Sequence, residues 1–271
     1  MKTRIIAAAA LLPLLLIVVL VLPAVYTGIL FGLMAAIGAY ELLWGTGLVK
    51  QPRLIVYTAV MAFLTALWSC FGPSYPAMLI GGLVFAAALY GELLASKGKL
   101  PYEKLMVCLA GGLLIPFMLT ALVRLRSSEN GRFLILIPFV LAFLSDTGAY
   151  FAGRAFGKHK LAPVISPNKT VEGVVGGVAG AIIGMLLYCL ILDLALDFQV
   201  NYIYGLLYGL LGSLAAVFGD LSFSAIKRQT GIKDYGNLIP GHGGILDRFD
   251  SMSVVAPLTE ALMILIPVLV K

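Results

Sequence analysis

The charged stretch at residues 219–250 reads GDLSFSAIKRQTGIKDYGNLIPGHGGILDRFD, and apolar sequence flanks it on both sides. Its ionisable residues are Asp220, Asp234, Asp247, Asp250, Lys227, Arg228, Lys233, Arg248 and His242. Ionisable groups at the edge of a bilayer are costly, so a membrane protein keeps a cluster of them chiefly where they have a function. The stretch is therefore the first candidate for a functional site.

The composition predicts an all-α, polytopic integral membrane protein. Hydrophobic residues make up 61% of the chain and charged residues only 12%, whereas a soluble domain is roughly one quarter charged. The net charge of +6 comes from cations in short loops. We therefore attribute it to membrane topology and to contact with membrane lipids, and we expect no nucleic-acid partner.

Apolar runs predict about nine transmembrane helices, because each span needs roughly 20 apolar residues. The predicted spans are 5–22, 24–45, 54–71, 75–96, 104–124, 133–153, 172–193, 201–226 and 253–270. Residues 1–130 carry few polar groups and are expected to form a scaffold. Residues 131–271 are expected to form the catalytic region, with the active site at the cytoplasmic ends of its helices.

Loop charges predict that the N-terminus faces the cytoplasm. With that orientation, most of the 19 lysines and arginines lie in cytoplasmic segments, as the positive-inside rule requires. The loop near 194–200 contains Asp197 and no cation, and is placed outside. The loop that carries Arg124, Arg126 and Arg132 is the exception to this bias.

Two motifs lie upstream of the charged stretch. Asp146 interrupts an apolar span, and its spacing puts Tyr150 and Gly153 on the same helix face. An intramembrane aspartate is expected to face the bundle or a wet cavity. Residues 166–170, SPNKT, are predicted to form a turn before a helix that Thr170 caps. That helix N-terminus beside Lys169 could receive a phosphate, although an ordinary capped loop explains the motif equally well.

Other polar and small residues are expected to be structural. Gly176, Gly180 and Gly184 form a small-residue stripe that predicts close helix packing. Glu41, near the end of a span, is expected to hydrogen-bond within the bundle. The cysteines follow no metal-binding or disulfide spacing.

The residues of the charged stretch suit phosphoryl-transfer chemistry. Asp220, Ser224 and Lys227, with the adjacent Arg228, share one helix face. The segment 236–244 is rich in glycine, which lets backbone N–H groups approach a ligand. Hard carboxylate oxygens favour Mg²⁺, and the cations favour phosphates.

The pattern from Ser224 to Asp250 resembles the signature of phosphatidate cytidylyltransferases, also called CDP-diacylglycerol synthases. The segments around Asp146 and around Ser166 to Gly173 are similar to the same family. The resemblance implies transfer of CMP from CTP to phosphatidic acid, with release of pyrophosphate. It also implies a Mg²⁺ requirement, with a second cation left open, and a homodimer in the cell inner membrane.

Roles follow residue by residue from this resemblance. Metal ligands are expected among Asp220, Asp247, Asp250 and Asp146. Catalytic roles are expected for Asp220, Asp247, Lys227, Arg228 and His242. Substrate binding is expected at Ser166, Lys169, Ser224, Lys233, Gly243, Gly244 and Arg248.

Two other classes of protein remain open at this point. A CTP-dependent lipid kinase would use similar groups but would need a base for a hydroxyl acceptor. A transporter would place its charges at the bilayer midplane near broken helices, whereas here most lie at predicted span ends.

Cysteine labelling tests the predicted topology. A single cysteine introduced at 154–171 or at 229–240 should react with a membrane-impermeant reagent only from the cytoplasmic side, because both loops are rich in cations. Reaction from the opposite side would overturn the orientation.

Overall fold

The structure is a computed structural model that describes residues 13–71, 75–239 and 243–270. Helices dominate because a backbone within the bilayer must satisfy its hydrogen bonds internally. Over these residues, seven helices are long and apolar enough to cross a membrane. They coincide with the second to eighth predicted spans. Residues 5–12 of the first predicted span lie outside the residues that the structure describes.

The helices and strands are numbered here in chain order. The long helices are α1 Ala24–Gly45, α2 Pro52–Cys70, α3 Pro76–Ala95, α4 Tyr102–Ser127, α5 Gly131–Phe156, α6 Val171–Leu196 and α7 Tyr202–Gln229. Two shorter helices follow, α8 Leu246–Phe249 and α9 Met252–Leu265. The strands are β1 Lys160–Ala162, β2 Ser166–Thr170, β3 Gln199–Val200 and β4 Leu269–Val270. Glu41–Gly45 in α1 and Ala110–Leu114 in α4 are π-helical.

The chain forms two compact units. One comprises Met1–Arg132 with Lys227–Phe249, and the other comprises Phe133–Ile226 with Asp250–Lys271. The first boundary falls close to residue 130, where the composition suggested a division. Most of the charged stretch nevertheless belongs to the unit of the N-terminal helices.

The C-terminal helix is shorter than the predicted span 253–270. Helix α9 has 14 residues, which is about 21 Å at 1.5 Å per residue, against roughly 30 Å of hydrocarbon. It ends just before Pro267, since a residue that precedes proline disfavours helix. Strand β4 then pairs antiparallel with β3. Strand β4 therefore lies beside the residues that follow α6.

Two of the three arginines in the loop that departs from the charge bias, Arg124 and Arg126, have internal contacts. Arg126 is buried, and its guanidinium donates to the Val19 carbonyl at 2.6 Å and to the Leu22 carbonyl at 2.9 Å. Carbonyls at a helix end lack intrahelical partners, and Arg126 supplies donors to them. The Arg124 guanidinium lies 4.3 Å from the centre of the Phe117 ring. Both cations are thus held by internal contacts.

Helices α5 and α6 of the second unit pack closely through glycine. A Cβ atom added to Gly180 would lie 2.6 Å from the Leu144 carbonyl oxygen, and one added to Gly176 would collide with Ala152. The small residues therefore let the two backbones approach each other. The predicted packing role of the stripe is confirmed.

A two-stranded hairpin precedes α6. Residues 166–170, predicted as a turn, form β2 and pair antiparallel with β1. That prediction was wrong because the extended backbone around Pro167 pairs with β1. Local sequence does not indicate this pairing. The predicted cap is confirmed, since the Thr170 hydroxyl accepts the Gly173 N–H at 3.1 Å. Glu172 accepts the N–H groups of Lys158 and His159, which fixes the hairpin to α6.

Substitution of Gly180 by alanine should destabilise the protein. The added methyl group would overlap a backbone oxygen, and overpacking typically costs about 1–3 kcal/mol. Gly91→Ala is the matched control in a membrane helix, because a Cβ there would meet no atom of the described chain within 4 Å. Thermal unfolding in detergent should show a lower midpoint for Gly180→Ala alone. Equal midpoints would contradict the packing role.

Candidate functional site

Asp247 lies at the centre of a buried polar cluster in the N-terminal unit. Its Oδ1 accepts the Lys227 ammonium at 2.8 Å, and its Oδ2 accepts the N–H groups of Tyr235 at 2.8 Å and Gly244 at 3.0 Å. The Asp247 side chain is 1% exposed and that of Lys227 is 9% exposed. A buried ion pair is stable only when its remaining hydrogen-bonding capacity is satisfied. Backbone donors meet that requirement here.

Glu41 of α1 belongs to the same cluster, and the sequence analysis gave it no part in a site. Its Oε1 accepts the Ile245 N–H at 3.0 Å, and its Oε2 accepts the Leu246 N–H at 2.8 Å. The expected hydrogen bonding within the bundle is present, but its partner is the backbone of the charged stretch. The signal in the sequence was that Glu41 is the single acidic or basic side chain of α1, but this does not identify its partner.

Other cations of the stretch are exposed. Arg228, Lys233 and Arg248 lie at the surface, and Arg228 donates to the Ile232 carbonyl at 3.2 Å. Lys227 differs from them because its ammonium is buried against Asp247 and lies 5.4 Å from the centre of the Tyr235 ring. In this state Lys227 balances a carboxylate, whereas the exposed cations face solvent.

Glycines shape the backbone before α8. Gly243 has a φ of +84°, a conformation that L side chains rarely adopt. A Cβ on this residue would also lie 3.0 Å from Asp247 Oδ2. The adjacent Gly244 is buried and donates its N–H to Asp247. His242, predicted to donate a hydrogen bond or shuttle a proton, lies outside the described residues.

The second unit contains another acid and cation pair. The Lys169 ammonium lies 2.5 Å from Asp220 Oδ2, and the Ser224 hydroxyl donates to Asp220 Oδ1 at 3.1 Å. The predicted proximity of Asp220 and Ser224 along the helix is confirmed. The side chains of Lys169 and Asp220 are 24% and 28% exposed, so solvent reaches both.

Lys169 also lines a cavity of about 610 Å³ in this unit. Its polar lining includes Asp146, Tyr150, Arg154, Ser166, Asn168 and Lys169. The cavity volume is typical of sites for small ligands. The predicted helix face is confirmed, because Asp146, Tyr150 and Gly153 all line this cavity. Arg154 donates to the Tyr150 hydroxyl at 3.0 Å.

Asp250 lies close to α7 through its backbone. A Cβ on Gly219, the residue before Asp220, would lie 2.8 Å from the Asp250 carbonyl oxygen. One Asp250 carboxylate oxygen accepts the Ser251 N–H at 2.7 Å. The fold therefore brings the Asp250 backbone to the helix that carries Asp220.

The carboxylate oxygens of the charged stretch suit a Mg²⁺ ion whose remaining ligands are phosphate oxygens. Over residues 13–71, 75–239 and 243–270, no group of three or more His, Cys, Asp or Glu could hold a metal ion. Mg²⁺ commonly binds one or two carboxylates and completes its shell with phosphate oxygens and water. Asp220 fits best, because its carboxylate is reachable from solvent. At Asp247, a cation would have to compete with the Lys227 ammonium for Oδ1, because Oδ2 already accepts two N–H groups.

Removal of one partner of the buried ion pair should destabilise the protein. Asp247→Asn leaves the Lys227 ammonium buried without a counter-charge, which typically costs about 3–5 kcal/mol. The double variant Lys227→Met/Asp247→Asn removes both charges and should regain much of the lost stability without regaining activity. Thermal unfolding measured beside turnover checks this. A double variant that is no more stable than Asp247→Asn would contradict the pairing.

Comparison with known proteins gives the family of this chain. Residues 2–266 match the family described as the cytidylyltransferase family. Proteins named phosphatidate cytidylyltransferase are similar to this chain. The one from Pseudomonas aeruginosa is 39% identical, with 97% of each chain covered, and the one from Haemophilus influenzae is 33% identical, with 95% of this chain and 96% of the relative covered. One from Staphylococcus saprophyticus is 38% identical over 62% of this chain. The chain belongs to the cytidylyltransferase family.

Proposed function

We propose that this protein is an integral membrane enzyme that transfers CMP from CTP to phosphatidic acid. The products are CDP-diacylglycerol and pyrophosphate, which places the reaction in phospholipid biosynthesis. Similarity over nearly the whole length to relatives named for this activity supports the proposal. The observation that carries it in the structure is the cavity beside the Lys169–Asp220 pair, because this cavity joins cations with hydroxyl and amide groups.

The main obstacle to this reaction is repulsion between two anions. A phosphatidate oxygen attacks the α-phosphorus of CTP, the bond to the bridging oxygen of the β-phosphate breaks, and pyrophosphate leaves. Little covalent chemistry falls to the protein, so catalysis of phosphoryl transfer rests on positioning and charge stabilisation. The attacking phosphate is already ionised and needs no strong general base.

Cavity residues suit the binding of a substrate phosphate. Lys169 and Arg154 supply positive charge, and charge-assisted hydrogen bonds to phosphate are the stronger kind. Ser166 and Asn168 add neutral donors. Before substrate arrives, Asp220 holds the Lys169 ammonium beside the cavity. An incoming phosphate would share that ammonium, and the Asp220 carboxylate would then be available to a cation.

Mg²⁺ dependence is part of the proposal. Asp220 is the first candidate ligand, and Asp247, Asp250 and Asp146 are further candidates, with a second cation left open. When bound, Mg²⁺ would neutralise charge on the phosphates and stabilise the charge that develops during transfer. The residues of this chain would place the phosphates and exclude competing water.

The membrane that contains the enzyme is proposed from its relatives, and the orientation in that membrane is proposed from the loop charges. The chain is an integral membrane protein by its seven candidate spans, and relatives from bacteria suggest the inner membrane. Loop cations favour an active site that faces the cytoplasm, where CTP is present. We also propose contact with membrane lipids and a homodimer.

Labelled CTP tests this function against a lipid kinase. Purified protein with phosphatidic acid and Mg²⁺ should move label from the α-phosphate of CTP into lipid, and should leave label from the γ-phosphate in pyrophosphate. Label from the γ-phosphate in the lipid would indicate a kinase. Omission of Mg²⁺ should abolish both signals.

Asp220→Asn and Lys169→Gln should each lower turnover by about tenfold or more, since loss of a charged hydrogen bond costs about 1.5–3 kcal/mol. Asp193→Asn is the matched control in the same unit, because the Asp193 carboxylate accepts the Tyr202 hydroxyl at 2.7 Å and lines no part of the cavity. Turnover of the control should match that of the wild type. Unchanged turnover in both site variants would contradict the assignment.

A further inference from the structure

We infer that Glu41 is a positioning residue for the catalytic segment, acting through the backbone that holds Asp247. The inference rests on the proposed function, since it assigns a role at the same site. Glu41 lies at the start of the π-helical turn Glu41–Gly45 and is 4% exposed. It lies 204 residues before Ile245, to which it hydrogen-bonds.

Two carboxylates divide three consecutive N–H groups between them. The Gly244 N–H binds Asp247, whereas the N–H groups of Ile245 and Leu246 bind Glu41. These donors lie just before and at the first residue of the short helix α8, where the first N–H groups have no intrahelical acceptor. A buried N–H without an acceptor is costly. Glu41 therefore fixes the backbone directly before Asp247.

Glycines on both sides of the segment make room for the Glu41 carboxylate. A Cβ on Gly236 or on Gly244 would collide with the Glu41 carboxylate oxygens. A Cβ on Gly45 would likewise collide with the Tyr235 carbonyl. Glycine at these positions is thus explained by close approach between the end of α1 and the charged stretch.

Charge gives a reason for a carboxylate at position 41 rather than an amide. A carboxylate only accepts hydrogen bonds, and it has two oxygens for two donors. In Glu41→Gln one oxygen becomes an NH₂ group, which would face a backbone N–H. One of the two hydrogen bonds is then lost although the volume of the side chain is retained.

Glu41 does not contact a reacting atom. A substitution at this position is therefore expected to act by displacing Asp247. Displacement of a catalytic group by about 1 Å can reduce turnover by roughly 10²-fold. We expect Glu41→Gln to lower kcat between about 10-fold and 100-fold. Glu41→Asp keeps the charge but shortens the side chain by one methylene, so it should retain more activity than Glu41→Gln. A role in packing alone would give the reverse order, because glutamine conserves volume.

Hydrogen exchange supplies a measurement that is independent of activity. The Tyr235 N–H binds Asp247 and not Glu41. Faster exchange of peptides that cover Tyr235 in Glu41→Gln would show that Asp247 has moved, whereas faster exchange at Ile245 and Leu246 would report only the lost contact. Glu92→Gln is the matched control, because Glu92 is also an acid near a span end but contacts the side chains of Tyr57 and Arg53.

The experiment compares Glu41→Gln, Glu41→Asp and Glu92→Gln in purified, full-length protein that elutes as the wild type does. Lower kcat together with faster exchange at Tyr235 in Glu41→Gln, and neither change in Glu92→Gln, would support the inference. Wild-type kcat in Glu41→Gln, or lower kcat without a change at Tyr235, would overturn it. If Glu41→Gln does not fold, kcat and hydrogen exchange at Tyr235 are measured in Glu41→Asp instead. A lower kcat without faster exchange at Tyr235 would then overturn the inference. Wild-type protein that cannot use phosphatidic acid would overturn the proposed function alone, because the exchange result needs no substrate.

Discussion

Burial of the Asp247 carboxylate constrains much of the N-terminal unit. A charge out of water must be paired and must also have its hydrogen bonds satisfied, or the cost exceeds the attraction. Lys227 supplies the opposite charge, and the N–H groups of Tyr235 and Gly244 supply the hydrogen bonds. The backbone has to fold around the carboxylate to deliver them, which explains the glycines at positions 243 and 244.

Glu41 extends the same constraint to a membrane helix. It accepts the N–H groups of Ile245 and Leu246, so the polar cluster around Asp247 includes Glu41 as a second buried acid beside the buried Lys227. The π-helical turn that begins at Glu41 is of a kind often found at functional sites. One of the N-terminal helices thus supplies an acid that accepts hydrogen bonds from the backbone of the charged stretch.

In the second unit, the acid and cation pair is arranged differently. Lys169 and Asp220 remain partly exposed, and Lys169 lines a cavity. The hairpin β1–β2 presents Lys169, and the close packing of α5 on α6 brings Asp146 and Tyr150 to the same cavity. A buried pair keeps its geometry because solvent cannot compete for it. A partly exposed pair suits binding because a phosphate can replace one partner.

The sequence by itself determined the features that depend on composition and on neighbours along the chain. Long apolar runs require helices in a bilayer, so the membrane fold followed directly. The Thr170 cap, the contact of Ser224 with Asp220 and the common face of Asp146 and Tyr150 follow from helical spacing, and the structure contains all of them. Membership in the cytidylyltransferase family also followed from the residue pattern. The metal ligands, by contrast, remain predictions.

Only the tertiary structure decided which distant groups meet. Nothing near Glu41 in the sequence indicates the backbone of Ile245, and Lys227 could equally have faced solvent as its neighbour Arg228 does. The strand at 166–170 required a partner at 160–162, and the C-terminal strand required one at 199–200. Periodicity records which face of an element a residue occupies, because that geometry repeats locally. The partner of a buried polar group depends on how the whole chain packs, because burial removes water as the alternative partner.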